Sequence, residues 1–237
     1  MSVSVLNTCF DAVSSIREGS TVLIGGFGEA GSPVELIHAL IDHGVRDLTV
    51  VNNNAGNGEV GLAALIKNRQ VRKMICSFPK SSRSTVFEQL YRSGSIELEL
   101  VPQGTLAERI RAGGAGIPAF FTATSIGTQL AIGKESRRFK DSRDYVLEFG
   151  IQADVALIKC ATADEKGNLT FNKTARNFNP IMCTAALETI VQASEIVKAG
   201  EIDPECVITP GVFVNKLVHV PSPVSESQLI EDGISYP

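Results

Sequence analysis

At roughly 150 residues per domain, a chain of 237 residues makes one large domain or two small ones. Hydrophobic residues at 43% and charged residues at 20% exclude a disordered chain, and the net charge of -4 argues against a general nucleic-acid or membrane-surface binder. No apolar run reaches the ~18 residues of a membrane span, and Met1-Ser2-Val3-Ser4 sets no basic region before an apolar stretch, so a soluble, cytoplasmic protein is expected.

In chain order, the first half alternates short apolar runs with helical patterns. Thr21-Val22-Leu23-Ile24, Leu48-Thr49-Val50-Val51, Met74-Ile75-Cys76 and Ile96 to Val101 read as strands; Val34 to His43, Val60 to Lys67 and Val86 to Arg92 read as helices. This alternation predicts an α/β fold, a mostly parallel open sheet with helices on both faces. The near-continuous apolar strands agree, because parallel strands are covered on both sides. Alternation in Ile96 to Val101 instead points to a wetter face or an edge strand. Later come a strand at Asp154 to Lys159, a hairpin turn at Lys166-Gly167-Asn168 leading to Leu169-Thr170-Phe171, and a strand at Thr189 to Ala193. Residues 1–220 read as one domain, and 221–237 as a tail that is mobile or ordered by a partner.

The cysteines Cys9, Cys76, Cys160, Cys183 and Cys206 stand singly without a C-x-x-C pair, as suits a reducing cytosol. His38, His43 and His219 offer no metal-ligand spacing. Neither a metal nor a permanently bound cofactor is expected.

Gly25-Gly26-Phe27-Gly28-Glu29-Ala30-Gly31 follows the first of these strands and opens a helix. Ser32 with Glu35 forms an S-x-x-E capping box, Pro33 suits the first helical position, and Gly44 is placed to end the helix. Glycines let a backbone approach a ligand, and free N–H groups at a helix start favour an anion or oxyanion. Gly26 to Gly31 also matches the dinucleotide pattern G-x-G-x-x-G. That pattern expects an acid about 20 positions on, where this chain has Asn52-Asn53-Asn54. A turn whose glycines serve packing alone stays open as an alternative.

Loops at the carboxyl ends of parallel strands face the crevice where ligands bind. Asn53 and Asn54 lie in such a loop, and neutral amides donate to a developing oxyanion at any ordinary pH. Asn and Gly clusters also form plain turns. Pro102-Gln103-Gly104-Thr105 repeats the arrangement, with Thr105 and Glu108 as a second capping box and a helix ending at Gly113-Gly114-Ala115-Gly116. None of these loops carries an evident acid–base pair or activated nucleophile. The residues describe half of a site, whose reactive group comes from elsewhere.

Taken in order, Gly25-Gly26-Phe27 with Gly31-Ser32-Pro33, Asn53-Asn54-Ala55-Gly56, Pro102 to Ile110, Gly113 to Gly116, and Ala175-Arg176-Asn177-Phe178-Asn179 resemble the A subunit of family I 3-oxoacid CoA-transferases, over nearly the whole chain to about Val220. Asn57 to Ala64, Cys76-Ser77-Phe78-Pro79 and Ile208-Thr209-Pro210-Gly211 resemble the 3-oxoadipate branch most, with the succinyl-CoA:acetoacetate branch next. The resemblance implies transfer of CoA from succinyl-CoA to a 3-oxoacid by ping-pong chemistry, with coenzyme A thioesters as substrates and no metal. It implies a partner, the CoA-transferase B subunit, whose glutamate within Ser-Glu-Asn-Gly is the nucleophile; that sequence is absent here. It places CoA at Gly25, Gly26, Phe27, Gly28, Glu29, Ala30 and Gly31. It places the substrate or oxyanion at Asn53, Asn54 and Gln103, with Gly114, Ala115 and Gly116 shaping the same pocket.

3-Oxoadipate carries a carboxylate beyond the reacting one, and burying it unpaired is costly. Lys80 and Arg83, in Pro79-Lys80-Ser81-Ser82-Arg83-Ser84, are candidates to hold it; a solvated basic turn is the alternative. A sugar-phosphate sensor or isomerase of similar fold also stays open. An isomerase needs an in-chain acid/base pair, for which Glu29 and Glu59 are the nearest candidates.

Overall fold

The computed structural model describes residues 3–81 and 83–236. Four strand–helix units come first: β1 (Ser4–Leu6) and α1 (Cys9–Val13), β2 (Thr21–Ile24) and α2 (Val34–His43), β3 (Leu48–Val51) and α3 (Gly61–Lys67), and β4 (Val71–Cys76) and α4 (Thr85–Arg92). β5 (Glu97–Leu100) and α5 (Gln103–Gly114) follow, then β6 (Ala119–Thr122), β7 (Ser136–Arg138) and β8 (Asp144–Phe149). The last third holds β9 (Ala153–Asp164), β10 (Leu169–Thr170), α6 (Asn179–Thr184), β11 (Ala186–Val197), β12 (Lys216–His219) and α7 (Glu226–Glu231).

The large sheet runs β1-β12-β11-β9-β2-β3-β4-β5, every neighbour on this path parallel, with β10 folded back antiparallel on β9. The period of two along each strand explains why both faces are covered. Val22 and Ile24 join a core with Leu36, Leu40, Leu65 and Phe87 of α2, α3 and α4. Leu23 faces the opposite core with Leu106 and Ile110 of α5 and Met182 of α6. Val50 and Val51, and Leu157 and Ile158, divide the same way. Each such buried side chain contributes about 2 kcal/mol of transfer free energy. β5 is an edge strand, as its alternation predicts.

Both capping boxes fail. α2 begins at Val34 with no side-chain cap; the Ser32 hydroxyl donates instead to buried Glu226 (3.1 Å), and Glu35 accepts from Gln192 (2.5 Å) and from the Val224 N–H (2.6 Å). α5 begins directly after Pro102, so Thr105 lies within its first turn and Glu108 pairs with Arg111 (2.7 Å). At α2 tertiary partners outcompete a local cap worth about 1 kcal/mol, whereas at α5 the helix starts two residues before Thr105 and Glu108 pairs within it. Gly44 does end α2 in the left-handed region at φ 80°. β6, β8 and β7 form a separate antiparallel sheet that no periodicity announces, because its strands are short and β7 is fully exposed. No helix among the described residues is long and apolar enough to cross a membrane.

The segment after Val220 is anchored to its own chain, where the sequence suggested a mobile or partner-held tail. Ser225 and Ser227 donate to the Glu29 carboxylate, Tyr236 stacks on His38 with ring centroids 3.8 Å apart, and the Tyr236 hydroxyl donates to Asp42 (2.9 Å). Burial raises the Glu226 carboxyl to about 7; Ser32 opposes this, Glu29 adds to it and Lys159 opposes it. The folded state therefore holds a proton that the unfolded chain releases, and stability falls as pH rises from about 4.5 to about 7. Glu226→Gln removes this dependence. By thermal unfolding, the variant should match the parent near pH 4.5 and exceed it at pH 8 by about 3 kcal/mol. Equal melting temperatures at pH 8 would contradict this reading of Glu226.

Candidate functional site

Four adjacent parallel strands, β2, β3, β4 and β5, end on one edge, and the four loops that follow them close around a cavity of about 480 Å³. Phe27 and Gly28 come from the loop after β2; Asn53, Asn54 and Asn57 from that after β3; Ser77, Phe78 and Ser81 from that after β4; and Gln103 opens the helix after β5. Among the described residues no ionisable side chain lines this cavity.

The amides here are oriented by their neighbours. Asn53, only 3% exposed, has its Oδ1 taken by two donors, Ser77 Oγ (2.8 Å) and Gln103 Nε2 (2.9 Å). Asn54 Oδ1 accepts from the Gly56 N–H (2.8 Å), a donor that fixes which end of that amide is oxygen. Asn57 Oδ1 accepts from Ser81 Oγ. With the carbonyl end of each of these three asparagines occupied, their NH₂ groups remain as donors, and this part of the wall suits a carboxylate or a developing oxyanion. Asn52 is structural: its amide donates to the Ile24 carbonyl (2.7 Å) and tethers the asparagine loop to the glycine loop.

The glycine loop is split between two cavities. Phe27 and Gly28 face the amides, whereas Glu29, Ala30 and Gly31 face a second cavity of about 510 Å³ shared with Lys159, Phe171 and Glu195. Gly25 and Gly31 serve close packing around Asn179, which is fully buried. A Cβ on Gly25 would overlap Asn179 Oδ1, and one on Gly31 would lie 2.5 Å from the Ala175 carbonyl oxygen. Asn179 in turn donates to the carbonyls of Gly31 (3.2 Å) and Ala175 (2.9 Å) and accepts from the Lys159 N–H (3.2 Å).

Two groups of sequence-expected site residues lie elsewhere. Gly114, Ala115 and Gly116 sit at the far end of α5 from Gln103, where Gly114 lets the helix approach Thr184 at the end of α6 and Gly116 lines a separate cavity with Gly150 and Gln152. A helix of this length separates its two ends by ~16 Å, so these glycines do not shape the amide-lined cavity. The Lys80 ammonium is paired with Glu88 (3.2 Å), and neither Lys80 nor Arg83, which is exposed, lines the cavity; Ser82 of that loop lies outside the described residues. Asn57, Ser77, Phe78 and Ser81 are not among the residues the sequence places at the site; it holds them only within segments quoted for the resemblance or for Lys80 and Arg83. The rule that carboxyl-end loops face the crevice, applied to the loop after β4 as well, would have found the last three.

The two carboxylates nearest the loops are committed to other partners. Partial burial tends to raise the pKa of Glu29, but the hydroxyls of Ser225 and Ser227 and the backbone N–H groups of the same turn outweigh it and hold the group below its ordinary range. Glu59 pairs with Lys67 (2.7 Å). Burial lowers the pKa of His38, whose Nε2 accepts from the Gly61 N–H (2.9 Å).

Comparison with known proteins adds to this geometry. Residues 7–220 match the Coenzyme A transferase family. The chain is 57% identical over 216 residues to the A subunit of 3-oxoadipate CoA-transferase from Pseudomonas putida, covering 91% of this chain and 93% of that protein. It is 53% identical over 214 residues to the A subunit of a probable succinyl-CoA:3-ketoacid coenzyme A transferase from Bacillus subtilis, covering 90% and 89%. Among solved structures, an acyl-CoA transferase from E. coli O157:H7 in a thioester complex with CoA superposes with a TM-score of 0.81 at 22% identity. That match covers 94% of this chain and 48% of the other, so this chain spans about half of that protein's length. Glutaconate coenzyme A-transferase from Acidaminococcus fermentans superposes with a TM-score of 0.80 at 22% identity, covering 92% and 75%. At such identities the structural likeness speaks for the fold.

Proposed function

We infer that this chain, which belongs to the Coenzyme A transferase family, is the A subunit of a two-subunit enzyme that moves CoA from succinyl-CoA to a 3-oxoacid, with 3-oxoadipate the preferred acceptor. The observation that carries this reading is a cavity walled by amides and hydroxyls from four strand ends, with no carboxylate, histidine or thiol among the described residues of its lining to act as nucleophile or base. The reactive acid then comes from a B subunit. The names of the Pseudomonas and Bacillus relatives support this division, since each is an A subunit.

In this reading CoA enters as a thioester substrate, and Phe27 and Gly28 of the glycine loop face it. The partner's glutamate attacks the thioester carbonyl, forming an acyl-glutamyl anhydride as CoA leaves as thiolate. The thiolate returns to give a glutamyl-CoA thioester and free succinate, and the 3-oxoacid repeats these steps in reverse. Dividing the exchange into covalent steps lowers each barrier. The Asn53 and Asn54 amides donate to the oxygen on which negative charge develops, with Gln103 holding Asn53 in place. A sugar-phosphate isomerase is set aside because its acid/base pair is missing: Glu29 and Glu59 are tied to Ser225, Ser227 and Lys67.

The test is CoA transfer from succinyl-CoA by the chain co-purified with its B subunit, with 3-oxoadipate and acetoacetate assayed side by side. A higher kcat/KM for 3-oxoadipate is expected. A preference for acetoacetate would move the chain to the succinyl-CoA:3-ketoacid branch of the Bacillus relative, and turnover of neither would overturn the assignment.

A further inference from the structure

The amide wall contains two separate clusters. One is Asn53 with Ser77 and Gln103. The other is built around Asn57, from the loop after β3, and Ser81 and Ser84, from the loop after β4, and it has no role in the reaction described so far.

This second cluster is held firmly. Ser84, only 4% exposed, accepts from the Ser81 N–H (3.1 Å) and donates to the Gly56 carbonyl (2.9 Å). Ser81 Oγ is thereby placed to donate to Asn57 Oδ1. The Gly58 N–H donates to the Arg83 carbonyl (2.9 Å), joining the two loops a second time. On the outer side Ile230 of α7 seats against Gly58, so closely that a Cβ there would lie 2.7 Å from its Cγ1. Asn57 is thus fixed with its oxygen occupied and its NH₂ group left to donate, in a cavity whose lining includes no acid among the described residues.

We propose that Asn57, oriented by Ser81 and Ser84, binds the distal carboxylate of a dicarboxylic 3-oxoacid, and so sets the preference for such acids over those ending in a methyl group. The proposal rests on the CoA-transferase reading above. It moves the role from Lys80 and Arg83, whose loop supplies the cavity with the Ser81 hydroxyl while Lys80 turns to Glu88. A neutral donor suits this position. A hydrogen bond to a charged group contributes about 1.5–3 kcal/mol, enough to discriminate, and the amide can meet a methyl-ended acid without leaving an uncompensated cation.

The experiment measures kcat/KM for 3-oxoadipate and for acetoacetate, with succinyl-CoA as donor, in the complex with its B subunit. In a ping-pong mechanism kcat/KM for the acceptor reports the second half-reaction alone, so an effect on succinyl-CoA does not enter. Asn57→Ala should lower the 3-oxoadipate/acetoacetate ratio by about 10- to 100-fold. Asn57→Asp, nearly isosteric but repelling a carboxylate, should lower it further, and an unchanged circular dichroism spectrum and cooperative melt show that the variant is folded. The double variant Lys80→Ser, Arg83→Ser should leave the ratio within about 2-fold. Equal losses for both acids in the Asn57 variants, or a selective loss in the Lys80/Arg83 variant alone, would overturn the proposal. Absence of turnover in the parent complex would instead overturn the underlying assignment.

Discussion

Asn53→Ala should lower kcat/KM of the reconstituted complex by about 100- to 1000-fold, the effect of losing one preorganised oxyanion donor. The size follows from how little freedom the amide has. Asn53 is buried, and Ser77 and Gln103 both converge on its Oδ1, so no reorganisation is needed when charge develops on the substrate. Gln103→Ala should cost less, about 10-fold, because Gln103 spends one amide hydrogen on Asn53 and acts largely by holding it. The double variant should lose little more than Asn53→Ala alone, since residues that share one network are not additive. Equal losses from the two single variants, with an additive double, would show that they act independently and would remove the positioning role from Gln103.

Gly25→Ala and Gly31→Ala should be the most damaging single-methyl changes in the glycine loop, and Gly28→Ala nearly tolerated. At Gly25 the added carbon meets Asn179, a side chain with no exposed surface and three hydrogen-bond commitments to nearby backbone. At Gly31 it meets a backbone carbonyl at 2.5 Å, and the residue is left-handed at φ +77°, so neither space nor backbone conformation allows a side chain. Overpacking of this kind costs about 1–3 kcal/mol or more, and the left-handed backbone adds about 1 kcal/mol. A melting temperature lower by about 5–12 °C is expected for each. Gly28 shares the left-handed conformation (φ +60°) but has open space within 4 Å of the added carbon, so only the backbone penalty applies. Equal destabilisation by Gly28→Ala and Gly31→Ala would mean that backbone conformation, and not the contact with Ala175, constrains Gly31, and an undisturbed Gly25→Ala would remove the contact with Asn179 as a constraint.

The parallel sheet was legible in the sequence because both of its faces are buried. Runs such as Thr21–Ile24 and Leu48–Val51 have no polar face to confuse the period, and their observed bounds match those read from the sequence. The small antiparallel sheet was not legible. Ser136–Arg138 is polar and fully exposed, and what makes it a strand is its pairing with Asp144–Phe149. Within the site, Asn53 and Gln103 stand out because each follows the carboxyl end of a strand legible in the sequence, the one apolar and the other alternating, a local signal. Where the outcome depended on a distant partner, local reading failed. Ser32 looks like a helix cap until Glu226, 194 positions away, takes its hydroxyl. Gly114 looks like part of a ligand loop until α6 packs on it, and Lys80 looks like an anion binder until Glu88 approaches. Asn57 belongs to the same asparagine-rich loop as Asn53 but carries no mark of its own. Its distinction comes from two serines of the next loop.

The central claim is that these loops form one receptive wall for chemistry performed by an acid on another polypeptide. It is tested most directly by assaying CoA transfer from succinyl-CoA to 3-oxoadipate with the purified chain alone, and again after adding its B subunit. The account predicts no turnover above the uncatalysed rate for the chain alone and full exchange on mixing. Turnover by the isolated chain would contradict it, because among the described residues the cavity that Asn53, Asn57 and Gln103 line holds no carboxylate, histidine or thiol, and its Ser77 and Ser81 hydroxyls donate to asparagine oxygens.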